Sequence, residues 1–268
     1  MPGSLTIVGT GITVSQITHE ARMHIKTADK LFHLVADPIT NLRITELNST
    51  AESLYDSYEP GKERMKSYME MVERMLKPVR EGKSVCVALY GHPGVFVYPS
   101  HRAIEEAKME GFEAKMLPAV SAEDCLFSDV GFDPARSGCQ SYEATDFLLF
   151  RRKFDPASAL ILWQIGVIGD LTFQYPKYKN TGLLVLIEHL LNYYPSEHEV
   201  IVYEASSITL CKPKIDRVTI NKLKEADVTP ISTLYVPPAN EVYADELMAD
   251  KLGLKDVAVK YNQRYHSG

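Results

Sequence analysis

Two phenols and a guanidinium fall close together in the segment Tyr55-Asp56-Ser57-Tyr58-Glu59-Pro60-Gly61-Lys62-Glu63-Arg64-Met65-Lys66-Ser67-Tyr68. If a helix opens near Lys62, Arg64 and Tyr68 are four apart and share one of its faces. Tyr58 stands in the loop just before, where Pro60-Gly61 lets it fold back toward that face. A free phenol ionises near pH 10 (pKa ~10), whereas a guanidinium stays charged throughout. An opposite charge within a few ångströms favours the phenolate. A phenolate so placed takes a proton from a very weak acid, while the guanidinium polarises a carbonyl as an oxyanion donor does. An amide needs both, because its nitrogen is a poor nucleophile until its proton leaves. Spacing leaves open whether Tyr58 or Tyr68 takes that proton. The competing reading makes these tyrosines amphipathic surface residues, in a chain that has 15 of them, and pairs Arg64 with a neighbouring Glu.

Two glycine turns offer a place for a ligand, since ligands of open α/β sheets settle where strands end and the backbone can approach closely. Gly9-Thr10-Gly11 follows the apolar run Leu5–Val8, but Val14 holds the position of the third glycine in a dinucleotide fingerprint. Tyr90-Gly91-His92-Pro93-Gly94-Val95-Phe96-Val97 follows the buried-strand pattern SVCVALY. Its glycines and proline make a rigid loop with free backbone groups, suited to the adenosyl and amino-acid portions of a cofactor. His92 has no second metal-type ligand at usable spacing, so its expected role is hydrogen bonding or packing.

The elements that must position these residues alternate. Strands are expected at Leu5–Val8, Ser84–Tyr90, Phe112–Leu117, Ala159–Ile165, Glu199–Ala205 and Ser232–Val236. The spacing of Ile17, Ala21, Ile25, Ala28 and Leu31 predicts a helix over Ser15–Leu34, ended by Asp37-Pro38. Met65, Met69, Val72 and Leu76 predict another over Lys62–Arg80. Ser100 is expected to cap a helix running to Glu110, and Ser121-Ala122-Glu123-Asp124 to open one with a capping box. Further helices are expected at Gly182–Tyr193 and Thr219–Ala226, and a weak helical pattern in the polar stretch Asn240–Gly268. Strands alternating with helices imply parallel or mixed sheets covered by helices, with a lobe boundary at Pro118.

Composition bounds the function. The 268 residues carry 45% hydrophobic and 24% charged side chains, as a folded globular chain does. A formal charge of −6 with thinly spread Lys and Arg argues against nucleic acid. The run Ala159–Gly169 is too short for a membrane span, and MPGSLTIVGTG is not a signal peptide. Cys86, Cys125, Cys139 and Cys211 show no metal spacing and read as reduced, mostly buried thiols of a cytoplasmic protein.

LTIVGTGI, ALYGHPGVFV and LPAVSAEDCLF together resemble successive motifs of the tetrapyrrole methylase superfamily, with LILWQIG, VIVYEAS and STLYVPP where that superfamily has second-lobe strands. The resemblance runs from Leu5 to Pro238. It implies a two-lobed α/β class III methyltransferase fold, with an N-terminal lobe over 1–118, a C-terminal lobe over 119–239 and a tail over 240–268. It further implies S-adenosylmethionine in the inter-lobe cleft and a homodimer. Carried over to this sequence, Tyr90, His92, Val95 and Phe96 line the cofactor, opposite Ser121, Ala122, Gln164, Tyr203, Ala205, Ser232 and Thr233.

The Tyr-Arg-Tyr segment, with YGHPGVFV, PSHRA, MLPAVSAEDCLF and YEATDFL, resembles the borosin branch, whose members methylate peptide backbone amides. The resemblance implies Tyr58, Arg64 and Tyr68 as the catalytic group and Tyr55 as a peptide contact. Methyl transfer is then an in-line displacement at the sulfonium methyl, with no metal. Fused borosins carry their substrate as a C-terminal extension. The end KYNQRYHSG does not look like an apolar core peptide, so the expectation here is a precursor peptide on a separate chain, in a heteromeric complex. The alternatives are a relative that methylates a tetrapyrrole, a translation factor or ribosomal RNA, and a non-catalytic partner that keeps the fold. A nucleotide-dependent oxidoreductase is disfavoured by the broken glycine fingerprint.

Overall fold

The computed structural model of the protein describes residues 2–35, 37–174, 180–239 and 242–266. β1 (Ser4–Gly9) begins the chain, and α1 (His19–Thr27) follows a short 3-10 turn. The helix expected over Ser15–Leu34 is therefore much shorter. Thr18 caps α1 by accepting a hydrogen bond from the Ala21 amide, and the chain turns extended at Ala28. Lys30–Leu34 is β2, and it pairs with the strand Ser84–Leu89. Leu31 and Phe32 are both buried, in clusters on opposite faces of the sheet. A strand covered on both faces shows no alternation, and its apolar run continued the helical period by coincidence. Asp37 does more than end a helix: its Oδ1 accepts from the Thr40 amide at 2.8 Å and caps α2 (Pro38–Leu47), with Pro38 in the first turn.

β3 (Glu52–Ser53), α3 (Arg64–Arg80), β4 (Ser84–Leu89), α4 (Tyr98–Met109) and β5 (Glu113–Leu117) complete the first sheet and its helices. Its order is β3-β2-β4-β1-β5, with every pair parallel. α3 lays Met71, Val72, Met75, Leu76 and Val79 on Leu5, Ile7, Val85 and Val87. Its buried stripe is rotated from the expected one, since Met65 and Met69 face solvent. α4 starts three residues earlier than expected, and Ser100 is buried with its hydroxyl donating to the Pro93 and Val97 carbonyls instead of capping the helix.

α5 (Ala122–Val130) opens with the expected capping box: the Ser121 hydroxyl accepts from the Asp124 amide, and the Ser121 amide donates to Asp124 Oδ2 at 2.7 Å. Then come α6 (Pro134–Ser137), β6 (Cys139–Glu143), α7 (Ala144–Leu149), β7 (Ala159–Trp163), α8 (Gly182–Leu190), β8 (Glu199–Glu204), β9 (Lys214–Thr219) and β10 (Thr233–Val236). The second sheet has the order β6-β7-β10-β8-β9 and is mixed, with only β6 and β7 parallel. Leu126 of α5 packs on one face with Ile161, Ile201 and Tyr203, and α7 and α8 cover the other. The helix expected over Thr219–Ala226 is the end of β9 followed by a 3-10 turn, Ile220–Glu225. The tail carries α9 (Glu246–Lys251) and α10 (Lys255–His266). Of the cysteines only Cys86 is buried; Cys125 and Cys139 are half-buried and Cys211 is exposed. Among the described residues, no helix is long and apolar enough to cross a membrane.

Candidate functional site

The two glycine turns meet at the carboxyl ends of the adjacent strands β1 and β4. The Gly91 amide donates to the Gly11 carbonyl at 2.9 Å, and the Gly11 amide donates to the Gly91 carbonyl at 3.3 Å. A Cβ on Gly9 would stand 2.2 Å from the Gly91 oxygen, so this approach requires glycine there. Gln16 braces the first turn in a way the fingerprint comparison missed: its Oε1 accepts from the Ile12 and Thr13 amides at 2.7 and 3.1 Å. In the second turn His92 Nδ1 accepts from the Gly94 amide at 3.0 Å.

Phe96, with φ of 61°, and Gln164, with φ of 57°, hold left-handed backbone that bulky residues avoid. Such strain persists where surrounding structure imposes it, and it gathers at ligand sites. Val95 and Phe96 are exposed, and Tyr90 is 37% exposed. Ser121 is buried, with Ala122 beside it in the first turn of α5. Tyr203 is fully buried and donates to Asp129 Oδ2 at 2.7 Å, so its phenol serves the second core. Ala205 follows it, partly buried in the same cluster. Ser232 and Thr233 are buried; the Ser232 hydroxyl donates to Glu204 and accepts from the Thr229 amide, while its carbonyl accepts from Ile165, next to Gln164. Burial, then Cys125 of α5 and Asp37, push the Tyr90 phenol up to about 12.

The expected catalytic group is brought together, with two additions from distant segments. Tyr58 meets Tyr68 edge to face at 6.4 Å and Tyr55 at 5.6 Å between ring centroids. Tyr98, at the start of α4, stacks on Tyr68 at 6.0 Å, and Phe173 of the second lobe stacks on Tyr58 at 4.9 Å. Nothing in the spacing around Tyr58 marks Tyr98 or Phe173; only the approach of α4 and of the segment after β7 reveals them.

Arg64 is half-buried, and its Nε donates to the Thr172 carbonyl at 3.1 Å. It forms no ion pair among the described residues, which removes the reading that pairs it with a neighbouring Glu. Glu59 and Glu70 bind Lys62, and Glu63 binds Lys66. The Tyr58 phenol corrects a second expectation. Burial, then the neighbouring Tyr68 and Tyr55, push its ionisation well above the ordinary tyrosine range, and the opposing pull of Arg64 is the weakest influence. Arg64 acts in the anticipated direction and loses to desolvation.

Burial also pushes Tyr235 up to about 12, against roughly 10 in an unfolded chain. A raised phenol stabilises the fold fully below the unfolded value, and that contribution is lost as pH rises toward the folded one. The urea midpoint is therefore expected to be lower at pH 11 than at pH 9, with Tyr90 and Tyr235 titrating late in the ultraviolet difference spectrum.

A cavity of about 660 Å³ lies away from both groups, at the amino ends of β1 and β4, lined by Ser4, Thr6, His24, Ser84 and Lys115 among others. Ligands of such sheets bind at the opposite edge. Among the described residues, no three or more His, Cys, Asp or Glu could together hold a metal ion.

The sequence and the fold have counterparts. A methyltransferase/ribosomally synthesized cyclic peptide gymnopeptides precursor from Gymnopus fusipes is 46% identical over 241 residues, covering 88% of this chain and 57% of that protein. A methyltransferase/ribosomally synthesized type III borosin cyclic peptide precursor from Anomoporia bombycina is 46% identical over 264 residues, 97% of this chain and 31% of that one. The corresponding omphalotin A precursor from Omphalotus olearius is 44% identical over 241 residues, 88% of this chain and 58% of that protein. The chain thus spans 31–58% of the length of these relatives. The uroporphyrin-III-C-methyltransferase structure from Thermus thermophilus superposes with a TM-score of 0.64 at 16% identity, covering 89% of this chain and 93% of that one. A diphthine synthase structure gives 0.58 at 16% identity, covering 96% of each. Both share the fold, that of class III methyltransferases. Residues 4–227 match the family described as Tetrapyrrole (Corrin/Porphyrin) Methylases, and the chain belongs to that family of methyltransferases.

Proposed function

We propose that the protein methylates backbone amide nitrogens of a peptide, with S-adenosylmethionine as methyl donor. The observation that carries this reading is the Arg64 guanidinium, half-buried beside Tyr58 and with no carboxylate partner among the described residues. A partly desolvated cation left unpaired is costly, and here its terminal nitrogens, unpartnered among the described residues, would receive a substrate carbonyl oxygen. The relatives named for cyclic peptide precursors support the choice of peptide as acceptor.

The paired glycine turns and the left-handed Phe96 and Gln164 fit a cofactor held largely by backbone groups. Tyr90, His92, Val95 and Phe96 would hold it from the first lobe, with Ser121, Ala122, Gln164 and Ala205 from the second and the buried Tyr203, Ser232 and Thr233 backing them. Bound there, S-adenosylmethionine supplies an electrophilic methyl group on its sulfonium. The protein's residues prepare the nucleophile. Arg64 receives the amide oxygen and stabilises the imidate form that follows loss of the N–H proton. Tyr68 takes that proton as its phenolate. Tyr58, kept neutral by burial, shares a hydrogen bond with Tyr68 and supports the negative charge there. Tyr55, at the exposed edge of the cluster, contacts the peptide. The enzyme works as a homodimer, and the peptide arrives on a separate chain.

The test is mass spectrometry of the protein incubated with S-adenosylmethionine and a separate apolar peptide. Successive single-methyl additions located on peptide backbone nitrogens are the expected result. Methylation of some other acceptor and never of a peptide overturns the reading. Methylation of the enzyme's own chain overturns only the separate delivery.

A further inference from the structure

We infer that the second-lobe segment Leu171–Phe173 is a positioning element for the catalytic group, with Phe173 setting Tyr58 and the Thr172 carbonyl setting Arg64; this rests on the peptide-methylation reading. The segment lies antiparallel to the loop before α3, bridging at Glu63 and Thr172. The Gly61 amide donates to the Phe173 carbonyl at 2.8 Å, the Phe173 amide to Lys62 at 3.0 Å, and the Arg64 amide to Leu171 at 3.1 Å. The last of these bonds does part of what a helix cap ordinarily does. Glu63 stands at the N-cap of α3 but makes no side-chain capping bond, so the first amide of the catalytic helix is satisfied from the other lobe.

The same segment fixes the side chains. Thr172 is braced by Asp170, whose Oδ1 accepts from the Thr172 amide at 2.9 Å and its hydroxyl at 2.7 Å. The Thr172 carbonyl then engages Arg64 Nε, which sets the plane of the guanidinium, and among the described residues its terminal nitrogens have no hydrogen-bond partner. Phe173 lies nearly parallel to Tyr58, 19° between planes, while Tyr55 and Tyr68 meet Tyr58 edge-on. One lobe thus holds the face of Tyr58 and the other holds its edges. Displacement of a catalytic group by about 1 Å can cost on the order of 100-fold in rate, so this bracing acts on turnover without touching the cofactor.

The test compares Phe173→Ala, Phe173→Leu and Phe173→Tyr. Removing the ring is expected to lower kcat about tenfold or more, by the same positional argument. The calorimetric Kd for S-adenosylmethionine stays within about twofold, and Phe173→Tyr, which can stack, keeps most of kcat. A second reading needs no substrate: with ring-labelled tyrosine, the Tyr58 resonance, assigned by Tyr58→Phe, should titrate at lower pH once its cover is gone. If Phe173→Ala does not fold, Phe173→Leu is read in its place, since it fills space without stacking. Unchanged kcat together with an unmoved Tyr58 titration overturns the inference. A wild-type protein that never methylates peptide removes the functional reading, while the Tyr58 titration still decides whether Phe173 sets that phenol.

Discussion

Arg64→Ala is expected to lower the rate of peptide methylation by about 10²–10³-fold, the loss typical of deleting a donor aimed at developing oxyanion charge. The loss should fall on kcat, because the guanidinium meets charge that grows only as the amide proton leaves. Binding of S-adenosylmethionine should survive, since Arg64 lies in the tyrosine cluster and not among the glycine turns. Stability should fall by only about 1 kcal/mol, the ordinary worth of one hydrogen bond, because the main-chain bonds between Leu171–Phe173 and the loop before α3 remain. Arg64→Lys should not restore the rate: an ammonium keeps the charge but cannot engage Thr172 and the substrate carbonyl through one rigid plane. Measured kcat, cofactor Kd and melting temperature for the two variants check this together. Wild-type turnover by Arg64→Lys would reduce the role of Arg64 to bare charge.

Tyr68→Phe should cost about 10²–10⁴-fold, the range for losing a general base, again with intact cofactor binding. Tyr58→Phe should cost less. Burial keeps its phenol protonated, and in the proposed mechanism it supports charge on its neighbour without carrying that charge itself. The pair of variants separates the roles, because both leave the rings, and so the contacts with Phe173 and Tyr98, in place. Should Tyr58→Phe be the dead variant while Tyr68→Phe turns over, the two phenols exchange roles and burial is overcome by the bound substrate.

The Ser121 capping box, the strands leading into both glycine turns and the helix carrying Arg64 and Tyr68 were legible in the sequence because each depends on local chemistry. β2 was misread as helix because its two faces are both buried, which erases the alternation that marks a strand. β6 and β9 were missed because CQSYE and KIDRVT carry few apolar residues, as strands at a sheet edge do. Within the site, Tyr58, Arg64 and Tyr68 could be grouped by spacing. Phe173 and Tyr98 could not, since their approach depends on how β7 and β4 deliver the segments that follow. The sign of the Tyr58 shift was also beyond the sequence, because it turns on burial and the sequence shows only which charges are near.

The bond from Arg64 to Thr172 spans 108 residues of chain. At roughly 5–20 residues per second, synthesis of Thr172 trails that of Arg64 by on the order of 5–20 s. The first lobe therefore leaves the ribosome with its tyrosines in hand but its guanidinium unset and the first amide of α3 uncapped. On the proposed role of Arg64, catalytic competence comes late in biosynthesis and waits until the second lobe docks.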